Sequence, residues 1–237
     1  MPTLLTVANN VFRDTGFPDA TTVVGNGNRA VRSFLAQAQV EGRSMARRRW
    51  SILTKRHIFT TASSAETYKL PDDFYSFVTD TNWNTSAQDP MFGPISDESW
   101  QANKSGVVTT DINDRFQVRA DGNKLRYYID PVPTSAEQIS FFYITDRWCT
   151  SSGGQRQNEW KADADLLLLD QHVYELGVKW RFLRSQRRDF STELQEYQME
   201  LNKAIAQDGG MPTVVIAPVD ADGTPPFVAN VGETGFG

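Results

Sequence analysis

The sequence predicts an α+β protein: a four-helix bundle built from an N-terminal and a C-terminal helical pair, with a small antiparallel β domain inserted and an extended C-terminal tail. Three observations predict it. Apolar residues recur three or four apart near both ends of the chain. The middle is β-branched and aromatic, with turn residues between the runs. Beyond Gly210, prolines and glycines interrupt every apolar run. The expected units are 1–50, the first helical pair; 51–160, the β domain; 161–208, the second pair, in the same bundle; and 209–237, the tail.

Leu4, Leu5, Ala8, Val11 and Phe12 share one helical face, and Gly16 with Pro18 ends that helix. "DATTVVGNGN" is a loop by its Gly and Asn content. A second helix is expected from about 28 to 48, with Val31, Phe34, Leu35, Ala38, Gly42 and Met45 on its apolar face. Glycine inside a helix costs about 1 kcal/mol against alanine, so Gly42 predicts a close helix–helix approach.

The period changes at Trp50. "WSILTKRHIFTTA", "AETYKL" and "YSFVTDTNW" read as strands, and "SDESWQANK" opens with a loose capping pair. "RFQVRA", "NKLRYYIDP" and "EQISFFYITDRW" are three further strands, the first two joined by "ADGN", a hairpin signal. "CTSSGGQRQN" reads as a polar crossing. A helix is then expected to begin at Asp163 and Asp165, with the stripe Leu166, Leu169, Val173, Leu176, Trp180 and Leu183. A last helix, about 189 to 207, carries Phe190, Leu194, Tyr197, Leu201 and Ile205 and stops at Gly209–Gly210.

Composition narrows the function. A single cysteine, Cys149, excludes an internal disulfide framework and fits a reducing compartment. No apolar run approaches the ~20 residues of a membrane span, and the N-terminus reads as a structural helix, not a leader. The net charge of −5 argues against a nucleic-acid binder of the basic type.

Signs of catalysis are sparse. His57 and His172, the two histidines, have no metal-ligand partner at a recognised spacing. Phosphate-loop, dinucleotide and nucleophile-elbow motifs do not occur. Asp72–Asp73 reads as turn chemistry and Asp163–Asp165 as a helix start, so a paired-carboxylate hydrolase is disfavoured. No enzyme and no cofactor is expected.

Two basic clusters remain: Arg47, Arg48 and Arg49, and the run from Lys179 to Arg188 with Arg184, Arg187 and Arg188. They fit helix C-terminal charge with solvated faces. They equally fit contact with a neighbouring subunit or with DNA phosphate. "RFQVRADGNKLRYYI" interleaves basic and aromatic residues as single-strand binders do, but also as one wet and one dry strand face would.

The order of segments "YKLPDDFYSFVTDTNW", "MFGPISDESWQ", "RFQVRADGNKLRYYIDPVP", "ISFFYITDRW" and "ADADLLLLDQHVYELGVKWRFLRSQRRDF" resembles the head-to-tail adaptors of short-tailed bacteriophages, the tail accessory or tubular type. The likeness covers roughly residues 50 to 206, and the Leu-Pro-Asp-Asp-Phe turn with the Gly-Pro-Ile and Trp100 segment is its most specific part. It implies a dodecameric ring in the virion neck, between the portal protein and the tail (nozzle or tubular) protein, with double-stranded genome passing through. Such a protein is made in the host cytoplasm. Members of that family often carry glycine between the last two helices, where this chain has "SQRRD".

The tail needs its own explanation, because Val214, Val215, Ile216, Phe227 and Val228 are unusual in a segment too broken to fold alone. They are expected to anchor it on the portal or on an adjacent subunit, gaining pocket contacts and strand-edge hydrogen bonds. The alternative function is a nucleic-acid-associated accessory protein using the Arg-rich helix ends.

Overall fold

The structure, a computed structural model, describes residues 1–106 and 114–209. Its elements in order are α1 (Leu4–Thr15), α2 (Arg29–Ala46), β1 (Thr54–Thr60), β2 (Thr67–Lys69), β3 (Phe74–Phe77), β4 (Trp83–Asn84), β5 (Asp89–Pro90) and α3 (Asp97–Lys104). There follow β6 (Arg115–Asp121), β7 (Lys124–Asp130), β8 (Gln138–Thr145), β9 (Cys149–Thr150), β10 (Arg156–Gln157), β11 (Leu166–Leu167), α4 (Gln171–Ser185) and α5 (Ser191–Gly209). The class is α+β, and every strand pairing within the sheets is antiparallel.

Local chemistry sets the helix ends. The Thr3 side chain accepts from the Thr6 amide at the start of α1, and Gly16, at φ 74°, closes it. Only a residue free of Cβ strain takes that left-handed turn cheaply. Asn28 caps α2 through the Ala30 amide. Helix α4 packs on α1, α2 and α5, so it is the hub of the helical layer. Residues of all four of these helices share one apolar core, to which Trp148, Cys149, Trp160 and Leu167 are added from the segment before α4.

That segment corrects the sequence expectation. The fourth helix does not begin at Asp163; its N-cap is Asp170, whose carboxylate accepts from the Val173 amide. Leu166 and Leu167 instead form β11, paired with β9, and Leu167 donates to the Pro2 carbonyl. Asp163 accepts from the amides of Val23 and Val24, and Asp165 from those of Lys161 and Ala162. Both acids therefore order loops. The polar crossing "CTSSGGQRQN" is likewise a short hairpin, β9 against β10.

The remaining strands make two facing sheets. One has the order β1-β8-β4-β5, with β3 also on β8; the other is β2-β7-β6. Their inner faces meet through a column of parallel rings: Phe116, Tyr127 and Phe141, with centroid spacings of 4.8 and 5.7 Å and interplanar angles of 5° and 4°. The "ADGN" signal is a two-residue hairpin, with Gly122 at φ 59°. Helix α3, capped by Ser96, covers the outer face of the smaller sheet with Trp100.

Candidate assembly surfaces

Glu41 lies on the buried face of α2 between Ala38 and Met45, with no exposed surface. Arg181 Nε of α4 donates to it at 2.5 Å, and the Tyr197 hydroxyl of α5 at 2.6 Å. Burial and the neighbouring carboxylate hold the Tyr197 phenol protonated far above its ordinary range. A Cβ on Gly177 would sit 2.3 Å from the Glu41 carboxylate, so α4 needs glycine there. Three helices are thus pinned through one acid. The close helix–helix approach expected at Gly42 occurs at Gly177, since Gly42 faces the Trp148 indole.

A second acid, Asp73, joins the sandwich to its own turn. It accepts from Lys55 at 2.5 Å, Thr145 at 2.8 Å and Tyr143 at 2.9 Å. Burial favours its neutral form, yet these three donors win and hold it at about 2. His57 stacks beside Phe59 at 5.8 Å, and burial lowers its pKa. His172 is exposed on α4. Cys149 is buried with its thiol directed at the carbonyls of Gln157 and Glu159, and burial pushes it up to about 12. A thiol held protonated is a poor nucleophile. Among the described residues no three His, Cys, Asp or Glu side chains gather as a metal site. No described helix is long and apolar enough to cross a membrane.

The two basic clusters are not brought together. Helices α2 and α4 run antiparallel, with Ser33 beside Ser185 at one end. Arg47 lies fourteen residues further along α2. At 1.5 Å per residue that is roughly 20 Å away. Arg47, Arg48 and Arg49 are exposed, and among the described residues none of them forms an ion pair. The second cluster is divided. Arg181 serves Glu41, and Lys179 faces Asp14 at 3.6 Å. Arg188 donates to the Thr15 carbonyl at 2.7 Å and lies over Phe17, bracing the end of α1. Arg184 and Arg187 remain exposed. The "SQRRD" break closes α4 with Arg187 at φ 58°, while the Arg188 amide reaches the Leu183 carbonyl. That is a glycine-type helix stop made without glycine.

The outer face of the five-stranded sheet is the surface that sequence reading missed. Ile58 pairs with Ser140, and Ser140 with Trp83, so these three form one row across β1, β8 and β4. Phe142, one position further along that face of β8, pairs with Arg56. Ile58, Trp83 and Phe142 are 45%, 43% and 41% exposed. Large apolar side chains scattered singly mean little, but neighbours in register make a patch. The available signal was that β1 and β8 carry apolar residues on both faces, Ile58 beside Phe59 and Phe142 beside Phe141, which does not say which face is covered. The predicted tail anchors, Val214, Val215, Ile216, Phe227 and Val228, lie outside the described residues.

Glu41, Asp73, Asp163, Asp165 and Cys149 thus serve the fold internally, while Ile58, Trp83, Phe142 and Arg47, Arg48 and Arg49 are left facing out. The sequence profile of the SU10 adaptor protein family matches residues 2–219. The chain belongs to that family of bacteriophage adaptors, and is a structural virion component. No curated protein matches it.

Proposed function

We propose that the chain is a head-to-tail adaptor of a short-tailed phage, standing as a closed dodecameric ring in the virion neck. It joins the portal protein to the nozzle or tubular protein of the tail, and the double-stranded genome passes through it. No chemical step and no cofactor belongs to this role. The observation that carries the reading is the exposed patch of Ile58, Trp83 and Phe142 in an adaptor-family chain. Ring closure requires one patch of each subunit to meet a different patch of the next. Apolar side chains held in register supply the buried centre of such a contact.

The helical layer acts as one four-helix bundle whose rigidity presents the sandwich. The units are 1–50 and 161–208 as the bundle, 51–160 as the insert and 209–237 as the anchor. Val214, Val215, Ile216, Phe227 and Val228 anchor the tail on the portal or an adjacent subunit. Arg47, Arg48, Arg49, Arg184 and Arg187 supply polar contacts to a subunit or to the genome; Arg188 is engaged within its own chain.

Native mass spectrometry of the chain mixed with portal rings tests this, full-length beside a version ending at Gly210. A closed ring added by full-length protein alone supports both adaptor and anchor. Equal addition by both removes the anchor; no addition at any ratio removes the adaptor. A second reading rests on the exposed Arg47, Arg48 and Arg49, which suit a nucleic-acid accessory role. Binding to free duplex that falls steeply with salt would favour it.

A further inference from the structure

Strand β1 has an unused edge. The alternation of the ladder shows which backbone groups face it. On β8 the carbonyls of Gln138 and Phe142 accept from Thr85 and Val78, on the side away from β1. Hence Ile139, Phe141 and Tyr143 bond toward β1, where their partners are Phe59, His57 and Lys55. The N–H and C=O groups of Arg56, Ile58 and Thr60 therefore point outward, and among the described residues no backbone bond reaches them, while the Thr54 amide is taken by the Ser51 carbonyl of the preceding turn. The seven-residue edge of β6, by contrast, is already met by Phe92 and Ile95. Proteins commonly guard a bare edge with charge. Here Lys55 is bound to Asp73 and Arg56 Nε to Ser140 at 2.9 Å, so both cations are held across the sheet.

The chain also carries a segment suited to such an edge. Thr213, Val214, Val215 and Ile216 are four β-branched residues in a row, bracketed by Pro212 and Pro218. The family match ends at residue 219, just beyond this run. Helix α5 delivers it to the right corner: Asp208 accepts from the Ser51 amide and hydroxyl, three residues before β1 begins. From Gly209 to Thr213 an extended chain spans roughly 13 Å.

We infer that residues 213–217 of one copy add as an antiparallel strand to the β1 edge of a neighbouring copy, each subunit donating one strand and accepting one. Donation and acceptance at different sites is the arrangement that closes a ring. A neighbour's edge is favoured over the chain's own. Its own run would leave α5 at the start of β1 and travel alongside it in parallel, whereas every sheet pairing here is antiparallel, the more stable kind. Added there, alternate residues of the run extend the apolar face of Ile58 and Phe142. The inference rests on the ring reading and names the partner surface within it.

The test uses full-length Val215→Pro, whose own run cannot pair, with a synthetic peptide of residues 211–219 as probe. Hydrogen exchange is read at the amides of Arg56, Ile58 and Thr60. At millimolar peptide these amides are expected to slow by about tenfold or more, and not with the peptide carrying the same Val215→Pro change. Unaltered exchange in folded protein overturns the inference. So does wild-type protein that shows the protection as a dilute monomer, because the strand would then be its own. Portal binding takes no part, so the adaptor reading can survive a failure here.

Discussion

Glu41 and Trp83 mark the difference between the two halves of the molecule. Glu41 is an acid with no exposed surface, placed in the helical layer with a partner on each of two other helices. Trp83 is a large apolar residue left 43% exposed on the sandwich. The ordinary preference for each is reversed. A buried charge survives only if its hydrogen bonds are made, so the helical layer has spent its polar chemistry on holding α2, α4 and α5 in register. The exposed part of Ile58, Trp83 and Phe142 gains nothing for the fold that displays it. The helical layer ties its buried acid to its own helices, and the sandwich displays Ile58, Trp83 and Phe142 together on one face; Val40 and Met199 are the exposed apolar residues of α2 and α5.

Breaking the helical half should produce the largest effect. Glu41→Ala leaves Arg181 without its acid and Tyr197 without its acceptor, and should cost about 3 kcal/mol in denaturant unfolding. A loss below ~1 kcal/mol would mean the node is not what joins the helices.

The sandwich is expected to respond to acid through Asp73. Its folded pKa, at about 2, lies below the ordinary carboxylate value, so its contribution is complete above pH ~4. It fades as pH falls toward 2, because the unfolded chain takes up the proton first. The stake is about 1–2 kcal/mol after screening, read as the difference in acid sensitivity between wild type and Asp73→Asn. Parallel acid curves would remove the argument.

The smallest effect sharpens the boundary of the helical half. Arg187 holds a left-handed conformation at the α4–α5 junction and is exposed. Arg187→Gly relieves the Cβ conflict and should raise stability by ~0.5–1 kcal/mol in thermal unfolding. A decrease would show that the side chain, not the turn, matters there.

Much of this architecture is legible in the sequence, for physical reasons. Leu4 to Phe12 keep helical spacing and end on a glycine that must be left-handed, so α1 is readable. "ADGN" encodes its hairpin in two residues. The start of α4 misleads because "LLLLD" satisfies a helical stripe and a buried strand alike; Asp170, a good cap, was the available arbiter. Glu41 was legible in one respect, since it sits in phase with Ala38 and Met45 on a buried face. Its partners Arg181 and Tyr197, at sequence separations of 140 and 156, were not. Strands β1 and β8 carry apolar residues on both faces, and nothing local says which face is covered, so the exposed patch needed the fold.

The most direct measurement is native mass spectrometry of portal rings mixed with the double variant Trp83→Ser, Phe142→Ser. The account predicts a variant that still folds, with a loss of roughly 2–4 kcal/mol because each ring is more than half covered, and no closed ring on the portal from the folded protein. A variant that assembles as wild type does would contradict it, and the open face of the sandwich would then have no part in joining the subunits.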